Sequence, residues 1–134
     1  PVYGHGRNVR DWIHVNDHCS AVDAMLQDDE HAGETFNVSA GEERSVLEIA
    51  DIILRTLGLG DDLIEHIADR PGHVMRHAVD AAKLRKTYGW RPSHDLEGSM
   101  RRTVLWYVEH PEWWRPIRSG EFRNYYERRY VRSS

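Results

Sequence analysis

The sequence predicts an α/β fold, on three observations. Short segments in which apolar and polar residues alternate recur between longer segments with helical apolar spacing. Glycine and proline punctuate nearly every junction between the two kinds. The strand-like segments are too few for a complete doubly wound sheet, so the chain reads as part of an α/β architecture.

Residues 1–8 read as a turn-rich loop, because Pro1, Gly4, Gly6 and Asn8 interrupt it. From Val9 to Val15 the pattern alternates: Val9, Asp11, Ile13 and Val15 fall on one side, and Arg10, Trp12 and His14 on the other. That predicts a strand. Asp17 follows as the expected cap of a helix running through Ala21, Val22, Ala24, Met25 and Leu26 and ending before Gly33. Thr35–Val38 reads as a second strand, and Ser39–Glu43 as a turn. Ser45 and Glu48 make the S-x-x-E capping box before an apolar run. Val46, Ile49, Ala50, Ile53 and Leu57 then recur at helical spacing, with Gly58 as the stop. Leu63–Ala68 and Met75–Val79 read as strands on either side of the loop Asp69-Arg70-Pro71-Gly72-His73. Asp80 is the expected cap of a helix through Leu84 to Tyr88, stopped by Gly89. Ser93 or Asp95 is expected to cap a last long helix, about 96–110, with Met100, Val104, Tyr107 and Val108 on one face and Pro111 as its limit.

The 134 residues are 40% hydrophobic and 30% charged, the balance of a globular domain of modest size. No apolar run approaches the ~20 residues needed to span a bilayer. The single cysteine, Cys19, excludes an internal disulfide, fits a reducing cytoplasm, and reads as a small buried side chain on its helix. Net charge is −4, but residues 115–134 hold six arginines against Glu121 and Glu127. This Arg/Tyr-rich tail reads as a packing or solvated segment; nucleic acid is not the expected partner, since acids and tyrosines break up the basic run. The scattered histidines show no metal-ligand spacing with cysteines or acids, so no metal is expected. Trp113 and Trp114 read as packing residues.

Two segments carry candidate chemistry. In Pro1–Trp12, a glycine-punctuated loop allows close backbone approach to a ligand, and Arg10 supplies a planar cationic fork suited to phosphate oxygens. A hairpin loop followed by a surface arginine is an equal reading of those residues alone. In Asp69–His73, Arg70 and His73 sit on a Pro-Gly loop and both can donate to a phosphate. Each piece alone is weak.

The ordered set is stronger. The series Tyr-Gly-x-Gly-x-x-x-Arg-Asp-Trp-Ile-x-Val-x-Asp-His over residues 3–18 resembles the extended short-chain dehydrogenase/reductase family. Phe36-Asn37-Val38 resembles that family's last core strand. Asp69–His73, Asp80-Ala81-x-Lys83-Leu84, Tyr88-Gly89-Trp90-x-Pro92 and Thr103-Val104-x-Trp106-Tyr107 resemble its dTDP-glucose 4,6-dehydratase branch, collinearly over residues 1–114. The resemblance implies the C-terminal part of such an enzyme: the end of a Rossmann-type sheet with a substrate loop (1–45), a small mixed α/β substrate-binding domain (46–114) and a basic tail (115–134). It implies NAD bound mainly by an N-terminal domain, a dTDP-sugar substrate, and a homodimer at full length. By motif position, Pro1 and Tyr3 would lie near the thymine, and Arg10, Arg70 and His73 would hold the ribose and pyrophosphate. Remote contacts of this kind position a sugar for reaction elsewhere.

The family's G-x-x-G-x-x-G turn, its Tyr-x-x-x-Lys pair and the dehydratases' Asp-Glu pair have no counterparts here, so no residue of this chain is expected to be catalytic and the chain is expected to be inert alone. It also departs from the branch pattern. Val74-Met75-Arg76-His77 stands where Asp-Arg-Arg-Tyr is usual, and Ser39-Ala40-Gly41-Glu42-Glu43 where Gly-Gly-x-Asn-Glu is usual. An acid at position 42 would repel a pyrophosphate. A UDP-sugar epimerase or decarboxylase portion and a non-catalytic sugar-nucleotide binding module remain the alternatives.

Overall fold

A computed structural model describes residues 1–120. It falls into two compact units, the first Pro1–Arg101 and the second beginning at Arg102. The elements are mixed α/β. Strands β1 (Val2–Tyr3), β2 (Val9–Asp11), β3 (Glu43–Ser45), β4 (His66–Ile67) and β5 (Arg76–His77) are interleaved with helices α1 (Val15–Leu26), α2 (Val46–Leu57), α3 (Ala82–Tyr88), α4 (Leu96–Glu109) and α5 (Pro111–Arg118).

Two small sheets organise the first unit. β1 pairs in parallel with β4, Val2 opposite His66 and Tyr3 opposite Ile67. β2 is the middle strand of the other sheet, antiparallel to β3 and parallel to β5. The segment 1–8, expected as loop throughout, thus contains a strand, and the expected turn before α2 ends in one. The strand expected over 9–15 stops at Asp11. There the chain turns toward α1, whose N-cap is His14, its ring accepting from the Asn16 N–H.

Asp17 is therefore not the cap of α1. It sits within the first turn of the helix, 2% exposed, and accepts from the backbone N–H groups and side chains of Ser93 and His94. The bonds tie α1 to the segment before α4. His94 also stacks on His14, ring centroids 4.3 Å apart. Cys19, expected to be buried, is exposed, because α1 turns Ala21 inward and leaves positions 18–20 outward.

α2 forms as the sequence requires. The Ser45 hydroxyl accepts from the Glu48 N–H, the Glu48 carboxylate accepts from the Ser45 N–H, and Gly58 closes the helix in the left-handed conformation. Its Ile49 and Ile52 are buried. α3 begins at Ala82 rather than at Asp80, although the Asp80 carboxylate does accept from the Ala82 N–H.

The core of the first unit gathers Ala21 of α1, Leu84 of α3 and Trp90, with Ile13, Met25, Phe36, Val38 and Tyr88 packed around it. Phe36 and Val38 belong to the expected strand 35–38. The segment contributes these side chains but forms no ladder, since no other described strand lies along it. Extended backbone becomes a strand only with a hydrogen-bonded neighbour.

In the second unit α5, a helix that the sequence pattern does not predict, begins with Pro111 at its first position. Trp114 donates to the Tyr107 carbonyl, with Arg115 and Arg118 over its ring, whereas Trp113 is 63% exposed and meets Trp106 edge-on at 5.9 Å. The rest of the basic tail, 121–134, lies outside the described residues.

Candidate nucleotide-binding site

The β1–β4 pair brings three of the expected site residues together. Tyr3 ends β1. The chain after β4 turns through Asp69, Arg70, Pro71 and Gly72, so that the Arg70 guanidinium lies 5.6 Å from the centre of the Tyr3 ring and His73 meets that ring edge-on at 6.3 Å. A cation above an aromatic face is attracted to it, and the pairing orients the guanidinium. Asp69 fixes the loop. Its carboxylate accepts from His73 Nδ1 at 2.7 Å and from the Arg70 N–H at 2.9 Å. The His73 bond, the largest influence, holds the Asp69 carboxyl below its ordinary range.

Gly4 makes this approach possible. Its φ is +54°, and a Cβ there would lie 2.8 Å from Asp69 Oδ2. Only glycine accepts both that backbone conformation and that contact. Pro1 is exposed at the start of β1 and is drawn to this cluster only through the chain.

Arg10 lies on β2, in the other sheet, yet it is anchored to the same loop. Its Nη1 donates to the Val74 carbonyl at 3.1 Å, one residue beyond His73, and to the Val9 carbonyl at 2.7 Å. The Asn8 amide donates to the same Val74 oxygen at 3.2 Å. Among the described residues no carboxylate pairs with Arg10. Beside it opens a cleft of about 450 Å³ whose wall includes Arg10, Asp11 and His77 as polar members and Ile13, Val38 and Val79 as apolar ones.

The two departures in sequence take definite positions. Glu42 lies 3.4 Å from Arg44, so its charge is met within its own strand segment. Arg76 makes a two-pronged pair with Glu43, at 2.7 and 2.6 Å, across the middle strand. That pair depresses the Glu43 carboxyl and raises Arg76. Asp11 accepts from the Ser39 hydroxyl through Oδ2, while its buried Oδ1 has no hydrogen-bond partner.

Among the described residues no glycine-rich turn joins a strand to a helix N-terminus. One group, Asp28, Glu30 and His31, places three metal-capable atoms within 4.8 Å of one another; it is partly exposed, and Asp28 and His31 are bonded to each other at 2.6 Å. No helix among the described residues is long and apolar enough to cross a membrane.

Residues 1–103 match the family model described as GDP-mannose 4,6 dehydratase. The chain is 40% identical over 121 residues to a dTDP-glucose 4,6-dehydratase of Streptomyces niveus, covering 90% of this chain and 36% of that protein. It is 41% identical over 128 residues to one of Mycolicibacterium smegmatis, covering 95% and 38%. Among solved structures, a dTDP-glucose 4,6-dehydratase of Streptomyces venezuelae with NAD and TYD bound superposes with a TM-score of 0.82 at 37% identity, over 87% of this chain and 36% of that one. The chain thus spans little more than a third of the length of the relatives it matches. With a family match over residues 1–103 and a mixed α/β fold that fits part of these enzymes, the chain belongs to the GDP-mannose 4,6 dehydratase family, as a relative of its dTDP-glucose 4,6-dehydratases.

Proposed function

We propose that this chain is the C-terminal, substrate-binding portion of an NAD-dependent dTDP-glucose 4,6-dehydratase, which converts dTDP-glucose to dTDP-4-keto-6-deoxyglucose and water. Tyr3 and Pro1 face the base, and Arg10, Arg70 and His73 hold the ribose and pyrophosphate. The observation that carries this reading is the convergence of Tyr3, Arg70 and His73 on one loop whose next carbonyl anchors Arg10. Two guanidinium groups with a histidine beside an aromatic face suit a nucleoside diphosphate: the arginines meet the dianion and the ring packs on the base.

NAD, when bound, supplies the hydride acceptor and donor, and an N-terminal domain outside this chain mainly holds it. The chain by itself binds without turnover, since it carries neither the Tyr-x-x-x-Lys pair nor the elimination acids. The full-length enzyme is a cytoplasmic homodimer.

Titration calorimetry of a folded sample with dTDP, UDP and dTMP tests the assignment. dTDP is expected to bind most tightly. Arg10→Ala and Arg70→Ala are each expected to weaken it about 10- to 100-fold, the range for one lost charge-assisted contact. Preference for UDP would favour a UDP-sugar epimerase or decarboxylase portion. No binding by a folded sample would overturn the assignment of these residues.

A further inference from the structure

The register of the three-stranded sheet carries a feature that the motifs do not show. Arg10 stands directly opposite Arg44 of β3 on one side and directly opposite His77 of β5 on the other. Residues paired in this way project from the same face of a sheet, and successive residues project from opposite faces. One face therefore bears a row of three basic side chains, Arg44, Arg10 and His77. The opposite face bears Glu43, Val9 and Arg76, where the Glu43–Arg76 pair closes its own charges.

The row is not uniform. At one end Arg44 is met by Glu42 at 3.4 Å. At the other end Arg10 has no carboxylate partner, and His77 is exposed without a hydrogen-bond or ion-pair partner among the described residues. Arg10 and His77 both line the cleft of about 450 Å³, with Ile13, Val38 and Val79 as apolar wall. Asp11 also reaches this cleft, but it alternates to the other face of β2 and its Oδ2 is engaged by the Ser39 hydroxyl. The free donors thus converge at the Arg10–His77 end, where His77 stands in place of the branch's usual tyrosine.

We propose that His77 is a further anion contact of the nucleotide-sugar site, sharing the diphosphate with Arg10 and setting this chain's preference for a doubly charged ligand. The inference rests on the assignment of Arg10 to that site. A histidine ring carries two nitrogens that can hold an N–H donor, where a tyrosine offers one hydroxyl. The Glu42 carboxylate, which replaces an amide, is drawn off by Arg44, and the histidine restores a donor on the far side of Arg10.

The experiment is dTDP binding by the protein in its full natural length, wild type against His77→Gln, His77→Arg and Arg10→Ala. His77→Gln is expected to bind about tenfold more weakly, the effect of one lost charge-assisted bond. His77→Arg is expected to bind at least as tightly as wild type, because it places a cationic donor at the same exposed position. Equal weakening by both substitutions would mean that the ring serves only packing and would overturn the proposal. So would wild-type affinity in His77→Gln with binding lost in Arg10→Ala, which would leave the assignment of Arg10 standing. A wild-type protein that binds no dTDP would overturn both together.

Discussion

Asp17 is the residue whose environment is most demanding. Burial alone would push its carboxyl upward, but the bonds from His94 and Ser93 outweigh burial and hold it at about 2, against an ordinary 3.8. An unfolded chain would release that proton near pH 4, so the carboxylate's contribution is complete above about pH 4 and is lost as pH falls through about 2. Asp17→Asn is expected to destabilise the fold by about 2 kcal/mol at neutral pH. Melting curves from pH 7 to pH 2 check this, the gap between wild type and variant narrowing only below about pH 4. A gap that does not depend on pH would show that packing, not charge, is what the asparagine disturbs. Part of this was legible in the sequence. A short carboxylate ahead of an apolar helical run suggests a cap, but His14 holds that place and Asp17 bonds to a distant segment instead. Ser93 and His94 lie 76 and 77 positions away, and no local pattern announces a bond across that distance. The exposure of Cys19 was illegible for a similar reason: helical spacing gives a face, but not which neighbour covers it.

At the scale of elements, helices were read better than strands. α2 was legible to its end residues because its signals are local: Ser45 and Glu48 satisfy each other's backbone N–H groups, and Gly58 ends the helix. Ser45→Ala removes the hydroxyl that accepts from the Glu48 N–H and is expected to lower stability by about 1 kcal/mol, measured by urea denaturation, with dTDP affinity unchanged. A loss of affinity in this variant would show that β3 and α2 are coupled to the site more closely than the contacts indicate. The strands are two or three residues long, too short for alternation to be read, and their partners lie far along the chain. The segment 35–38 shows the converse. It alternates well, yet forms no ladder among the described residues. The motifs single out the candidate residues one by one, and the structure brings Tyr3, Arg70 and His73 together, whereas the row of Arg44, Arg10 and His77 depends on register, which only pairing fixes.

For the whole molecule, the apolar side chains left outside are informative. In the first unit Val15, Leu26, Met75 and Val79 are 65%, 78%, 61% and 49% exposed; in the second, Trp113 and Ile117 are each 63% exposed. Apolar side chains left this exposed are each stabilised by burial against another surface. The isolated chain is therefore expected to self-associate, with a sedimentation coefficient that rises with concentration and with binding of a hydrophobic dye. A sharp monomeric boundary at every concentration would refute this. The anchoring of Arg10 to Val74 has a consequence in time as well as in space. Val2 must find His66 and Val9 must find Arg76 before either parallel pairing exists, so each contact waits on the closure of a long loop and its entropy. During synthesis the first half of the site emerges long before the second, and no partial chain holds both. On the proposed assignment, a nucleotide that grips Arg10 and Arg70 together would act as a clasp on that loop: it would bind only the closed chain and raise the work of reopening it by an amount set by its concentration relative to its affinity.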